Sequence, residues 1–332
     1  MLTPSDDFLR RLPKAELHVH LDGSLRPATL AELARERGAP LPVYDEMALR
    51  THMLVSDASN LEEYLDRFAL TLSVMQDAEA LERISYELAL DHAEENVRYV
   101  EVRFCPALCT RDGLTSEEVL DAALSGLRQA EEETGIRTGV IVCALRTLDP
   151  TVSMEMAEAA VAYKDRGVCA FDLAGAEAGF PVEDHVAAFD YAREHGLCIT
   201  VHAGEGYGPA SIEQAVELAR TNRIGHGTRL EEAPDLLECV RDRGIALEIC
   251  MTSNVQTRVA ADYESHPLRR YFEQGLRVSL CTDNRLMSGV TLTDEYRHAR
   301  DAQGFTREEL IRVARMGFES AFTDEAARAD LL

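Results

Sequence analysis

The chain has 332 residues, 46% of them apolar and 28% charged, enough for a sizeable core, and α/β barrels reach this length as one domain. Fifty-nine acidic against 34 basic residues leave a formal net charge of −25 with histidine neutral, a field that argues against a nucleic-acid partner and leaves an uncharged small molecule unopposed. No run approaches the roughly 18 apolar residues of a membrane span, and Met1 to Arg11, which carries Asp6 and Asp7, lacks the apolar stretch of a secretory signal.

Short apolar runs alternate with longer amphipathic stretches along the chain. Eight runs read as strands: Ala15–His20, Arg98–Phe104, Thr138–Leu145, Val168–Leu173, Leu197–His202, Arg223–His226, Ile245–Cys250 and Leu276–Thr282. Helical patterns fall between them, among others at Ser116–Glu131, Met154–Lys164, Ser211–Arg220 and Pro234–Asp242. Eight βα units predict an α/β fold, a (β/α)8 TIM-type barrel, rather than an open doubly wound sheet. The whole chain, 1–332, is expected to form one domain. The stretch 21–96 is too long for a plain βα loop and has helical patterns of its own around Pro27–Arg37, Leu61–Leu72 and Ala78–Glu95. It is therefore expected to form a lid-like helical insertion covering the C-terminal face of the barrel. Cys143, Cys169, Cys198, Cys250 and Cys281 lie within apolar runs, and Cys105, Cys109 and Cys239 show no framework spacing. All eight read as buried reduced thiols of a cytoplasmic protein.

Residues i and i+2 of a strand point to one face, about 7 Å apart, so His18 and His20 can converge on one metal ion. A His-x-His pair alone reads equally well as packing. Its company is more specific: Asp172, His202 with Glu205, His226 and Asp283 follow later strand runs, where barrel enzymes place catalytic groups. Each has a plain structural reading as well. Glu205 suits a helix start, His226 between Gly225 and Gly227 suits a turn, and Asp283 suits a helix cap. All of them together at strand ends are better explained by a site.

The segments Ala15-Glu-Leu-His-Val-His-Leu-Asp-Gly-Ser24, Asp172-Leu-Ala-Gly175, Val201-His-Ala-Gly-Glu205, Gly225-His-Gly227 and Thr282-Asp-Asn284 closely resemble the adenosine deaminase family of metal-dependent amidohydrolases, in the family's order and across nearly the whole chain. The resemblance implies one zinc ion, Zn2+, held by His18, His20, His202 and Asp283, and hydrolytic deamination of adenosine, with 2′-deoxyadenosine, to inosine and ammonia. It further implies that His226 takes a proton from the attacking water and orients it, that Asp283 accepts a hydrogen bond from that water, and that Glu205 protonates purine N1. A carboxyl must be neutral to donate, so burial is expected to raise the pKa of Glu205. The only lysines are Lys14 and Lys164, neither in the fourth strand run, where related two-metal amidohydrolases often carry a bridging modified lysine. Its absence favours a mononuclear site.

By the same resemblance His20 also borders the substrate, Asp22 contacts the ribose 5′-hydroxyl, and the Gly175 backbone N–H meets purine N3. A carboxylate at Asp22 accepts from a hydroxyl and repels a 5′-phosphate, which favours a nucleoside over a nucleotide. Leu61, Tyr64, Leu65 and Phe68 form one apolar stripe at i, i+3, i+4 and i+7, read either as core or as the apolar wall of the nucleoside pocket. Asn284 stands where the best-known members have a second aspartate; its amide can donate to purine N7 at any ordinary pH. Gly204, Gly206 and Gly208 precede a helix but lack a P-loop lysine and dinucleotide spacing, and Cys105-Pro-Ala-Leu-Cys109 has the wrong spacing for a cytidine-type zinc site. The alternatives are a deaminase of another 6-aminopurine, such as aminodeoxyfutalosine or adenine, and a catalytically silent nucleoside-binding protein. The oligomeric state is open at this stage.

Overall fold

The computed structural model describes residues 3–55 and 67–331. Eight strands, β1 (Lys14–His20), β2 (Val97–Phe104), β3 (Arg137–Leu145), β4 (Val168–Ala174), β5 (Cys198–Ala203), β6 (Arg223–His226), β7 (Ala246–Ile249) and β8 (Val278–Leu280), pair in parallel in chain order. The ring closes where the His20 N–H donates to the Asp283 carbonyl at 2.7 Å and the Asp283 N–H to the His18 carbonyl at 2.8 Å. Residues expected to hold the metal thus also make the seam of the barrel.

Parallel strands in a barrel are covered on both faces, which is why they read as continuous apolar runs. Helices outside them begin with local signals. Thr115 and Glu118 form a reciprocal capping box for Ser116–Thr134, and prolines open Pro150–Ala162, Pro209–Glu217 and Pro234–Asp242.

The barrel interior departs from the apolar pattern. Glu101, Arg103, Asp172, Arg223 and Glu248 are almost fully buried. Arg103 donates to Asp172 and Glu248, and Arg223 to Glu248 and Glu101, so each guanidinium has two carboxylates, as burial of a charge requires.

Between β1 and β2 lie the helices Pro27–Arg37, Glu46–Met53, Phe68–Leu72 and Ala78–Ala93. The helix Glu46–Met53, capped by Asp45, was not expected from the sequence. Leu61, Tyr64 and Leu65 lie outside the described residues. All eight cysteines are free; five are buried, while Cys169, Cys198 and Cys239 are only partly so, short of the burial expected for them. No helix among the described residues is long and apolar enough to cross a membrane.

Candidate active site

The C-terminal mouth of the barrel gathers side chains from four strand ends. His18 and His20 come from β1, His202 from β5, and His226 ends β6; Asp283 follows β8 and Glu205 follows β5. His226 and Asp283 have φ of 65° and 60°, a left-handed backbone that non-glycine residues adopt at a cost and that is frequent at functional sites.

Two histidines have their tautomers set from behind. His18 Nδ1 lies 2.8 Å from Glu248 Oε2, and His202 Nδ1 lies 3.0 Å from Asp172 Oδ2. Both carboxylates are ionised. Burial opposes the charge, but for Asp172 the neighbouring His202 and Arg103, and for Glu248 the neighbouring Arg103 and Arg223, hold the pKa well below the usual range. A carboxylate can only accept, so each imidazole donates through Nδ1 and turns its Nε2 lone pair into the site.

Those lone pairs converge. His20 Nε2 and His202 Nε2 are 3.1 Å apart, and Asp283 Oδ1 lies 3.5 Å from His20 Nε2 and 3.6 Å from His18 Nε2. The buried Nε2 atoms of His18 and His226 have no hydrogen-bond partner. Donor atoms within each of the triads His18, His20, His202 and His18, His226, Asp283 lie within 4.8 Å of one another. Burial lowers the pKa of His20, His202 and His226 and favours neutral rings, whereas at His18 burial is outweighed by the Asp283 and Glu248 carboxylates, which raise its pKa. The imidazoles of His18, His20 and His202 and the carboxylate of Asp283 at this spacing fit a divalent cation, which would turn the crowding of their lone pairs into coordination.

A cavity of about 470 Å³ opens on this cluster. Its polar wall holds His20, Asp22, His202, Glu205, His226, Asp283 and Asn284; Gly175 lines one side, and Phe68, Leu72, Leu108 and Leu145 are among its apolar walls. Phe68 is the one member of the predicted apolar stripe among the described residues, and its ring stands edge-on to His20 with centroids 6.4 Å apart. Asp22 Oδ1 is buried without a hydrogen-bond partner, and burial pushes the carboxyl up to about 7. Asn284 Nδ2 donates to Asp283 Oδ1 at 2.7 Å, while its oxygen is packed against Gly23, where a Cβ would come within 1.6 Å of it. The amide nitrogen of Asn284 therefore faces the site, and residue 23 has to be glycine.

Several residues that shape the site are not marked as such by the sequence. Asp172 is not at the cavity wall; it supports His202 from behind. Glu248, in the middle of the short run Ala246-Leu-Glu-Ile249, supports His18. Glu177 accepts the backbone N–H groups of Gly204, Glu205 and Gly206 at 2.8–3.0 Å. This glycine-rich turn thus already binds a side chain of the protein's own, which answers the phosphate-loop alternative and anchors the segment bearing Glu205. Glu205 is itself buried, with Oε2 3.4 Å from His226 Nε2.

A closed parallel barrel with imidazoles and a carboxylate converging at its C-terminal mouth defines a metal-dependent hydrolase of the TIM-barrel class. The adenosine deaminase family model matches residues 13–332. A probable adenosine deaminase of Dictyostelium discoideum is 41% identical over 327 residues, 98% of this chain and 42% of that protein, so the chain spans about two-fifths of it. The adenosine deaminase of Shewanella woodyi is 38% identical over 97% of both chains. Among solved structures, an adenine deaminase from Arthrobacter aurescens superposes with a TM-score of 0.90 at 27% identity, covering 96% of this chain and 97% of that one. A zinc-bound amidohydrolase from Burkholderia ambifaria does so with 0.89 at 27%, covering 98% and 90%, and an Arabidopsis N6-mAMP deaminase with 0.88 at 28%, covering 98% of each. The chain belongs to the adenosine deaminase family.

Proposed function

We propose that the protein hydrolyses the exocyclic C6–N bond of adenosine, and of 2′-deoxyadenosine, giving inosine and ammonia, with one zinc ion per chain. The observation that carries this reading is the facing of His20 Nε2 and His202 Nε2 at 3.1 Å beside Asp283, within a cavity that also presents Glu205 and Asn284. Zinc held by His18, His20, His202 and Asp283 would acidify a water molecule towards neutrality and make it a usable nucleophile.

The chain's own residues supply the rest. Asp283 accepts a hydrogen bond from the attacking water, and His226 orients it towards C6. Electrons displaced by that attack reach N1, where Glu205 in its neutral form delivers a proton. Asn284 spends one amide hydrogen on Asp283 and has the other for purine N7. The Gly175 N–H faces N3, and Asp22 meets the 5′-hydroxyl. Phe68 and the helices between β1 and β2 cover the apolar side of the nucleoside, and their burial of the base excludes bulk water from the developing charge.

The buried carboxyl of Asp22 is what favours a nucleoside over a 5′-phosphorylated substrate: with its pKa pushed up to about 7 it is ionised at and above neutral pH, and there it repels a phosphate at short range. A panel of adenosine, 2′-deoxyadenosine, AMP, N6-methyl-AMP, adenine and aminodeoxyfutalosine, read by ammonia (or amine) release, tests the assignment. Adenosine is expected to be turned over with the highest kcat/KM and AMP at least tenfold more slowly. Preference for adenine or for a nucleotide would overturn it.

A further inference from the structure

Behind His226 lies a hydrogen-bonded chain whose polarity can be read from its far end. His226 Nδ1 is 3.0 Å from Asn254 Nδ2. Asn254 Oδ1 lies 3.1 Å from His266 Nε2 and 2.8 Å from Thr228 Oγ1. His266 Nδ1 lies 3.2 Å from the backbone nitrogen of Leu268. All four side chains are at most 3% exposed, so water does not substitute for any partner.

The backbone amide of Leu268 can only donate, so His266 Nδ1 must accept, and the hydrogen of the neutral ring sits on Nε2. That N–H needs an acceptor, which fixes the oxygen of Asn254 towards His266 and Thr228 and its NH2 towards His226. An amide NH2 can only donate, so Nδ1 of His226 is an acceptor. The hydrogen of His226 is left on Nε2, which points into the cavity 3.4 Å from Glu205 Oε2.

We infer that Asn254 is a positioning residue that fixes His226 as a hydrogen-bond donor to the attacking oxygen, and that His226 therefore does not act as the base expected from the family resemblance. The inference rests on the proposed deamination for what the donor does, and on the hydrogen-bonded chain alone for where the hydrogen sits. A ring locked this way offers an N–H to a lone pair of the incoming oxygen and has no lone pair on that side with which to take a proton. It aims the water at C6 and stabilises the negative charge left on that oxygen when its proton passes to Asp283; the C–O bond then forms as the displaced electron pair moves onto N1.

The test uses the zinc-loaded protein with 15N-labelled histidine. Nitrogen chemical shifts of His226, assigned by their loss in His226→Gln, are expected to show a protonated Nε2 and an unprotonated Nδ1. In Asn254→Asp an oxygen replaces the NH2 with little change of shape. It can only accept, so the tautomer of His226 should reverse while His266 and Thr228 keep their acceptor. In that variant kcat for adenosine is expected to fall by about 100-fold or more, as happens when a catalytic histidine is held in the wrong tautomer, with KM changed by less than about threefold. A wild-type His226 protonated at Nδ1 would overturn the inference, and so would a reversed tautomer in Asn254→Asp with unchanged kcat. Should Asn254→Asp not fold, the wild-type spectrum alone decides where the hydrogen lies. Should adenosine prove not to be the substrate, the spectrum still stands, so failure of the functional proposal is distinguishable from failure of this one.

Discussion

Glu248→Gln replaces the carboxylate at the centre of the barrel. Glu248 accepts from His18 Nδ1 at 2.8 Å, Arg103 at 2.8 Å, Arg223 at 2.6 Å and Thr200 Oγ1 at 3.0 Å, and every one of these side chains is buried. Removing one partner of a buried ion pair costs about 3–5 kcal/mol. Glutamine keeps one acceptor oxygen, which places the loss near the lower end, about 3 kcal/mol. With an unfolding entropy of about 2.1 cal/mol/K per residue, a chain of this length has about 0.7 kcal/mol/K in total, and its Tm should drop by about 4 °C. The same change lets His18 lose its fixed tautomer, and loss of such a supporting carboxylate weakens metal binding by about 10- to 100-fold. Thermal unfolding of the metal-free protein measures the first effect, and zinc titration against a competing chelator the second. A variant with wild-type Tm and wild-type zinc affinity would refute the claim that this carboxylate both balances the arginines and directs His18.

Glu205→Gln should abolish ammonia release while leaving zinc content at one per chain, because the amide cannot deliver a proton to N1; near-normal turnover would remove Glu205 from its role. Phe68→Ala should raise KM for adenosine several-fold with kcat and Tm little changed if the aromatic ring is part of the pocket, and lower Tm without a selective loss of binding if it is only core. Glu295 is buried, accepts the N–H groups of Met251 and Thr252, and burial pushes its carboxyl up to about 8. A folded-state pKa above the unfolded value means that the folded protein binds the extra proton between the two, so stability falls as pH rises from about 4.5 through 8. The Tm should decline more between pH 6 and 9 in the wild type than in Glu295→Gln, and parallel declines would show that Glu295 is not the source.

The barrel was legible in the sequence because each buried parallel strand is an apolar run bounded by turn residues, and His18, His20, His202, His226 and Asp283 sit at or just beyond the ends of those runs. The residues behind them were not legible. Glu248 interrupts an apolar run singly, Arg103 follows Glu101 within one run and Arg223 opens another, places where a charged residue reads as facing solvent; only closure of the barrel turns all three inward and pairs the arginines with carboxylates. Asp172 was noticed, but spacing along the chain does not tell a residue at the cavity wall from one that supports His202 from behind. Glu177 and Asn254 act on residues 27 to 29 and 28 positions away, through loops of different βα units that the fold alone brings together. The need for glycine at position 23 is likewise visible only once Asn284 is seen packed against it.

The central claim, that a single zinc at this cluster drives adenosine deamination, is tested most directly by stripping the protein of metal and titrating zinc back while following inosine and ammonia. The account predicts no turnover in the stripped protein and full recovery at one equivalent of zinc, with inosine and ammonia formed in equal amounts. Undiminished turnover without metal, or zinc-replete protein that binds adenosine and releases no ammonia, would contradict it.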